Sequence, residues 1–307
     1  MREIETVQTF RCEGCGAALS LPPSERTQIC PYCASPNVVA GALDTTRPEP
    51  RFCVPHAQGE TLARKALAEW QKRLGFFRHP GVRRAHLENF KGVYVPSVLY
   101  SAVARARYDV SIGEEYYVTE TYTTTENGKT VTRTRRVKKH EWVPLSGEYE
   151  AYATDVVVSA SSGIPNDELE AVEPFDFRGL RRYSAGLVAG WPVETPSRNG
   201  ADCLEMARKE LQAGISKRLA AFMPGDTHTG LSSSTAIEHE SAEPMLVPLW
   251  VLALKYDELK PALRVLINGQ TGKTAAKVPW SWPRIAVAIV AGLVVVGGLV
   301  LFAMKHQ

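Results

Sequence analysis

The stretch Ile285–Met304, IAVAIVAGLVVVGGLVLFAM, carries no charge and no strongly polar side chain, and it is bounded by Arg284 and Lys305. A hydrocarbon core about 30 Å thick is crossed by roughly 20 apolar helical residues. A helix satisfies its own backbone hydrogen bonds in lipid, which an irregular segment cannot do. Helices of this length in water-facing domains carry a polar stripe, and this stretch has none. Trp280 and Trp282 precede it, where indoles favour the boundary between lipid and water. The sequence therefore predicts one transmembrane helix over 284–304, with the rest of the chain tied to a bilayer by its C-terminal end.

The opening residues, MREIETVQTF, contain no apolar run and predict no secretory signal. The expected topology is single-pass, with the bulk of the chain cytoplasmic and Lys305, His306 and Gln307 on the far side. Lys273, Lys277 and Arg284 on the body side, against Lys305 beyond the span, agree with the excess of cations on cytoplasmic flanks. Of the 307 residues, 44% are hydrophobic and 22% charged, as in a folded protein. The net charge of +3 is too small to point to a polyanionic partner.

Four of the six cysteines form two CxxC pairs, Cys12/Cys15 and Cys30/Cys33, with 14 residues between the pairs. In a reducing compartment such pairs are metal ligands or redox centres rather than structural disulfides. Two hooks, each presenting two thiolates from a tight turn, build a tetrahedral four-sulfur site. Gly14 and Gly16 suit the first turn and Pro31 stiffens the second. One dithiol would serve redox chemistry, so the pattern predicts a zinc ribbon over 1–40 holding one structural zinc ion. Four protein ligands leave no open position for catalysis. Around the ribbon, Arg2, Arg11 and Arg26 are offset by Glu3, Glu5, Glu13 and Glu25, which speaks against a nucleic-acid surface.

Residues 41–58 hold three prolines and read as a linker, in which Cys53 and His56 lack the further ligands of a metal site. The body, 59–279, reads as α+β and β-rich, with two helices. Leu62, Ala66, Leu67, Trp70 and Leu74 form a helical stripe over 60–74. Leu204, Ala207, Leu211, Ile215, Leu219 and Phe222 form another, capped by Asp202. RHPGVRR, from Arg78 to Arg84, reads as a solvated basic loop. Strands are expected over 90–109, and a hairpin turns at Asn127-Gly128, the preferred pair for a two-residue turn. That turn sets Glu120 opposite Arg135 and an acidic strand opposite a basic one, so the cations of 129–139 are largely self-paired. The segment 160–200 has no clear assignment, and 227–243 reads as a hairpin or a loose loop. NGQTGKT lacks the first glycine of a phosphate loop, since Ile267 stands there, and reads instead as a return between two strands. YVPSVLYSAVARARY (94–108) and LVPLWVLALKY (246–256) share a Val-Pro opening and a basic-Tyr exit, which suggests two related halves. Pro96 and Pro248 are expected at strand starts.

The CxxCG…CPYC hooks, the Val-Pro strand openings, the NGQTGK return before Pro-Trp and the apolar C-terminal stretch together resemble the bacterial TFIIB-type zinc-ribbon membrane proteins. The resemblance implies metal ligation by Cys12, Cys15, Cys30 and Cys33. It also implies an association with phage-shock-type and SPFH-domain membrane proteins, with cytosolic or membrane protein partners held at the bilayer. No residues have the spacing of a nucleophile with its base, an open metal site or a working carboxylate pair. The expected function is therefore that of a non-enzymatic, membrane-anchored adaptor or scaffold. A membrane-tethered nucleic-acid binder, using the ribbon and the basic strand, is the second reading. Ala288 and Gly292 form a small-xxx-small pair compatible with a homo-oligomer.

Overall fold

The computed structural model describes residues 8–12, 16–21, 32, 38–40, 49–57, 59–126 and 129–305. Its elements in chain order are β1 (Gln8–Cys12), β2 (Ala18–Leu21), β3 (Val38–Ala40), β4 (Phe52–Cys53), α1 (Glu60–Arg73), β5 (His86–Glu126), β6 (Lys129–Ser159), α2 (Asn166–Val172), β7 (Arg181–Arg182), α3 (Gly200–Phe222), β8 (Thr227–Lys255), β9 (Leu263–Asn268), β10 (Thr274–Ala276) and α4 (Trp282–Lys305). The architecture is α+β and strand-rich. The chain divides into two compact units, one formed by Met1–Val98, Val157–Cys203 and Glu243–Gln307, the other by Leu99–Val156 and Leu204–Ala242.

In the first unit, β1 pairs antiparallel with β2 and with β3 in a three-stranded sheet of order β2-β1-β3. A larger sheet follows the order β10-β9-β8-β4-β7. Its centre is the end of β8, where every residue from Met245 to Leu254 is buried. A strand covered on both faces reads as a continuous apolar run, and MLVPLWVLAL is one. Pro248 does not start this strand, which begins at Thr227. It falls between Leu246, paired with Cys53 of β4, and Leu249, paired with Asn268 of β9, so its missing N–H interrupts neither of these ladders. Pro96 is likewise inside β5 rather than at its start.

The segment read as a linker contributes to this sheet. Phe52 and Cys53 pair parallel with β8 and antiparallel with β7, and Cys53 and Val54 are fully buried. In α1 the buried residues are Ala63 and Leu67, packed in one cluster with Trp250, Leu252, Val265 and Ile267. Ala66, Trp70 and Leu74 of the expected stripe pack against the same cluster, whereas Leu62 is 50% exposed and Ala63 takes the inward place in the first turn. The NGQTGK return joins β9 to β10 as expected. The Asn268 carbonyl accepts from the Gly272 N–H, and Gly272 takes a left-handed φ of 72° that favours glycine.

In the second unit, β5 alternates cleanly. Tyr100, Ala102, Ala104, Ala106, Tyr108, Val110 and Ile112 are buried, while Arg105 and Arg107 point out. The outer face is laced by ion pairs, Arg105 with Glu150 and Glu238 (both 3.1 Å) and Arg107 with Glu148 (2.9 Å). Arg208 of α3 donates in two-pronged fashion to Glu240 (2.7 and 2.8 Å), which also accepts from the Tyr100 hydroxyl (2.8 Å). The stripe expected on α3 is buried at Ala207, Leu211, Ile215 and Leu219, while Phe222 is 58% exposed. Its cap is Asn199, whose side chain accepts from the Asp202 N–H (2.8 Å), not Asp202 itself.

The polar stretch 227–243 forms the first half of β8 and not a loop. Strands β5 and β6 pair as a hairpin longer than the sequence suggests, and Asn127 and Gly128 lie outside the described residues. Glu120 meets Arg135 (3.2 Å) and Lys139 (3.1 Å), and hydrogen bonds from Lys139 and then Arg135 hold its carboxyl below the usual range. Lys138 and His140 both face Glu115. From Glu114 to Leu145 no residue with a described side chain is buried, and Tyr116, Tyr117, Tyr122 and Trp142 are each more than 40% exposed.

The window Trp282–Leu299 of α4 has a mean hydropathy of 1.9, and none of it is buried. Among the described residues it is the one helix long and apolar enough to cross a membrane.

Candidate functional site

Of the expected zinc ligands, Cys12 is described, while Cys15, Cys30 and Cys33 lie outside the described residues. Cys12 ends β1 and is buried. Its N–H donates to the Ala17 carbonyl (2.8 Å) and its carbonyl accepts from the Gly16 N–H (2.8 Å). Gly16 has a φ of 76°, a backbone conformation that costs a side-chain-bearing residue energy and costs glycine none. Among the described residues no three His, Cys, Asp or Glu side chains gather into a metal-binding group.

Of the described residues beside the cysteine pairs, Gly16 and Ala17 lie against the loop 161–163, and Tyr32 meets Glu194. Tyr32, the residue between Pro31 and Cys33, is fully buried, and its hydroxyl donates to Glu194 Oε2 at 2.6 Å. Ser161 Oγ donates to the other oxygen, Oε1, also at 2.6 Å. A buried carboxylate is costly unless several donors meet it, and short hydrogen bonds to an ionised oxygen are the strong kind. Ser161 is itself fixed: its Oγ accepts from the N–H groups of Gly163 (2.9 Å) and Ile164 (3.1 Å), and its carbonyl accepts from Arg198 Nε (2.9 Å). Gly163 is required by space, since a Cβ there would stand 2.5 Å from that of Ala17. The sequence offers no sign of this seat, because Tyr32 and Glu194 are 162 residues apart.

Beside Tyr32 opens a cleft of about 520 Å³ whose charged lining is Asp167, Glu168, Arg264 and Lys277. Lys277 meets Asp167 (2.6 Å) and Glu168 (3.4 Å), and Arg264 Nε lies 2.9 Å from Glu168. The Arg264 contact is ionic, because that N–H does not aim at the carboxylate. The hydrogen bond from Lys277 holds the Asp167 carboxyl below its ordinary range, and Asp167 raises Lys277 in turn. Each charge of the cleft is answered by another of the cleft, so the recess is polar yet nearly neutral.

Cys53 and His56 belong to an aromatic cluster. The His56 ring stacks on Trp191 with centroids 4.1 Å apart, and Tyr94 (5.1 Å) and Trp250 (5.5 Å) meet it edge-on. The His56 N–H of the backbone donates to Tyr94 Oη (3.2 Å), but neither ring nitrogen makes a hydrogen bond. Burial lowers the imidazole pKa to about 4, the Val93 backbone acting weakly the other way without reaching hydrogen-bond geometry. Burial likewise pushes the Cys53 thiol up to about 11, which leaves it protonated and unreactive at neutral pH.

The basic loop after α1 is not solvated throughout. Arg78 lies with its guanidinium 4.0 Å from the Trp280 ring centroid, and Arg83 donates to the Leu74 carbonyl. Residues Pro80–Arg84 form a short 3₁₀ helix with Val82 buried.

Comparison with curated proteins finds a similarity to an uncharacterized protein, YdjG, of Bacillus subtilis (strain 168). The two are 20% identical over 132 residues, which is 43% of this chain and 38% of that relative. The match therefore spans well under half the length of the relative. No family model matches the chain, and no solved structure does.

Proposed function

We propose that the protein is a non-enzymatic, membrane-anchored adaptor that holds protein partners at the cytoplasmic face of the bilayer. The observation that carries the reading is α4, an uncovered apolar helix of spanning length joined to a strand-rich body. The ribbon is part of the same proposal. A three-stranded antiparallel sheet with Cys12 buried and hydrogen-bonded to Gly16 and Ala17 supports ligation of one structural zinc ion by Cys12, Cys15, Cys30 and Cys33. Bound there, zinc would supply folding free energy to the ribbon, not chemistry to a substrate. Tyr32 and Glu194 belong to the same unit as α4, so their hydrogen bond would tie the ribbon to the part of the chain that is anchored. Partners of the SPFH or phage-shock type follow from the family resemblance. The exposed aromatics Tyr116, Tyr117, Tyr122 and Trp142 of the hairpin offer a second contact surface.

The test is affinity purification of the full chain in mild detergent, with a Cys12→Ser/Cys15→Ser variant alongside and zinc measured in both. A membrane or coat-like protein that accompanies the wild type and is lost with the metal in the variant is the expected result. A partner retained by the variant would move the contact to the hairpin. Recovery of nucleic acid, bound with a steep salt dependence, and of no protein would replace the adaptor by the nucleic-acid reading.

A further inference from the structure

The loop between α1 and the 3₁₀ helix is bonded to the segment that leads into α4. The N–H of His79 donates to the Pro279 carbonyl (2.9 Å), and the N–H of Ser281 donates to the Phe77 carbonyl (2.8 Å). Arg78 and Trp280 form an antiparallel bridge between these bonds. Arg78 Nη1 also donates to the Val278 carbonyl (2.7 Å) while its guanidinium covers the Trp280 ring. From the other side, Arg284, in the first turn of α4, donates to the Phe76 carbonyl (2.9 Å) and lies 4.9 Å from the Phe76 ring centroid. The loop is thereby fixed within about one turn, roughly 5 Å, of the start of α4.

What the loop presents at that level is aromatic and uncovered. Phe76 is 64% exposed, Phe77 41%, Trp280 52% and Trp282 74%. Single exposed apolar residues need no explanation, but four large rings side by side do. We propose that this collar is a second, interfacial membrane contact, in which Phe76 and Phe77 enter the headgroup region of a phospholipid bilayer beside the anchor. The inference rests on α4 being the anchor. Its occupant is the bilayer because the collar is continuous with the helix and lies where aromatic belts form. Arg78 and Arg284 each use one N–H on a carbonyl and retain further donors for lipid phosphates, while their planes stack on rings. The collar would hold the first unit at a fixed depth instead of letting it swing on a single helix.

The experiment is photolabelling of the purified full chain reconstituted in phosphatidylcholine vesicles that carry a phospholipid with a diazirine near its headgroup. Trypsin releases Leu74–Arg78 as one peptide and Ile285–Lys305 as another. The peptide with Leu62, which is also half-exposed but sits at the far end of α1, is the reference. The expected result is labelling of the loop peptide several-fold above the reference, lowered in an Arg78→Ala variant, where the lost cleavage site makes the loop peptide Leu74–Arg83 and the Ile285–Lys305 labelling is unchanged. Labelling of the anchor peptide with the loop at the reference level overturns the collar and leaves the anchor standing. An unlabelled anchor peptide overturns the anchor reading itself, and the collar with it. Loop labelling that Arg78→Ala leaves unchanged overturns the fixing role of the Arg78–Trp280 stack.

Discussion

The imidazole of His56 lies parallel to the Trp191 ring, 4.1 Å away, with Tyr94 and Trp250 closing its edges and the Cys53 thiol nearby on β4. Charging it there would bury a cation without a hydrogen bond at either nitrogen, which is why burial lowers its pKa from 6.5 to about 4. The sign of the consequence follows from linkage. Between pH 6.5 and 4 the unfolded chain takes up a proton at this residue that the folded chain refuses, so stability falls as pH falls through that window. The contribution is complete above the upper bound and exhausted below the lower one. Its full size is on the order of 3 kcal/mol as an upper bound, and solvent reaching the ring edge reduces it. Denaturant unfolding in mild detergent at pH 7 and pH 5 should show the wild type losing more stability than His56→Phe, which keeps the stack and cannot charge. Parallel losses in the two proteins would mean that the cluster accommodates the charged ring.

At the scale of elements, Gly92 shows how tightly β5 closes on that cluster. A Cβ at Gly92 would lie 2.2 Å from Cζ3 of Trp191 and 3.2 Å from Cζ3 of Trp250. Trp191 cannot withdraw without leaving the His56 stack, so Gly92→Ala overpacks a site with no flexible side chain to yield. The expected cost is about 1–3 kcal/mol, read as a melting temperature lowered by several degrees together with a weakened near-ultraviolet tryptophan signal. An unchanged melting temperature would show that Trp191 has room the close approach denies. None of this was visible in the sequence, where Gly92 is one glycine among many and Trp191 sits in a stretch with no period. What the sequence carried well were the elements with strong periodicity. The 3.6-residue stripes predict α1 and α3, the alternation after Tyr100 predicts one inward face of β5, and an acidic strand before a basic one predicts the Glu120–Arg135 pair. It failed where a strand is too short to show a period, as at Phe52–Cys53, or polar on both faces, as at 227–243. The seat of Tyr32 on Glu194 depends on long-range folding that no local pattern encodes.

At the scale of the molecule, everything proposed for function depends on α4 residing in lipid, and its composition allows a direct test. No residue of the window Trp282–Leu299 is buried, so burial within the chain does not explain its apolar character, whereas a bilayer does. An arginine at the middle of a spanning helix costs about 2.5–3.5 kcal/mol on insertion scales. Val294→Arg with Val295→Arg places two such charges near the centre, where neither reaches a headgroup by extending its side chain. Leu293 and Val296 on either side offer no polar partner. The wild-type chain should remain in the pellet when cell membranes are washed with alkaline carbonate, which strips proteins held only at the surface. The double variant should appear in the supernatant or be degraded, its body losing nothing because no described residue of the first unit's core contacts those positions. The collar sharpens the reading of that wash. Interfacial rings bind reversibly, and their hold on a bilayer does not substitute for a spanning helix. A double variant that resists carbonate as the wild type does would mean that α4 is not what retains the chain. A wild type released by carbonate would mean that the helix lies along the membrane surface or against another protein, and the adaptor would then need a partner to reach the membrane at all.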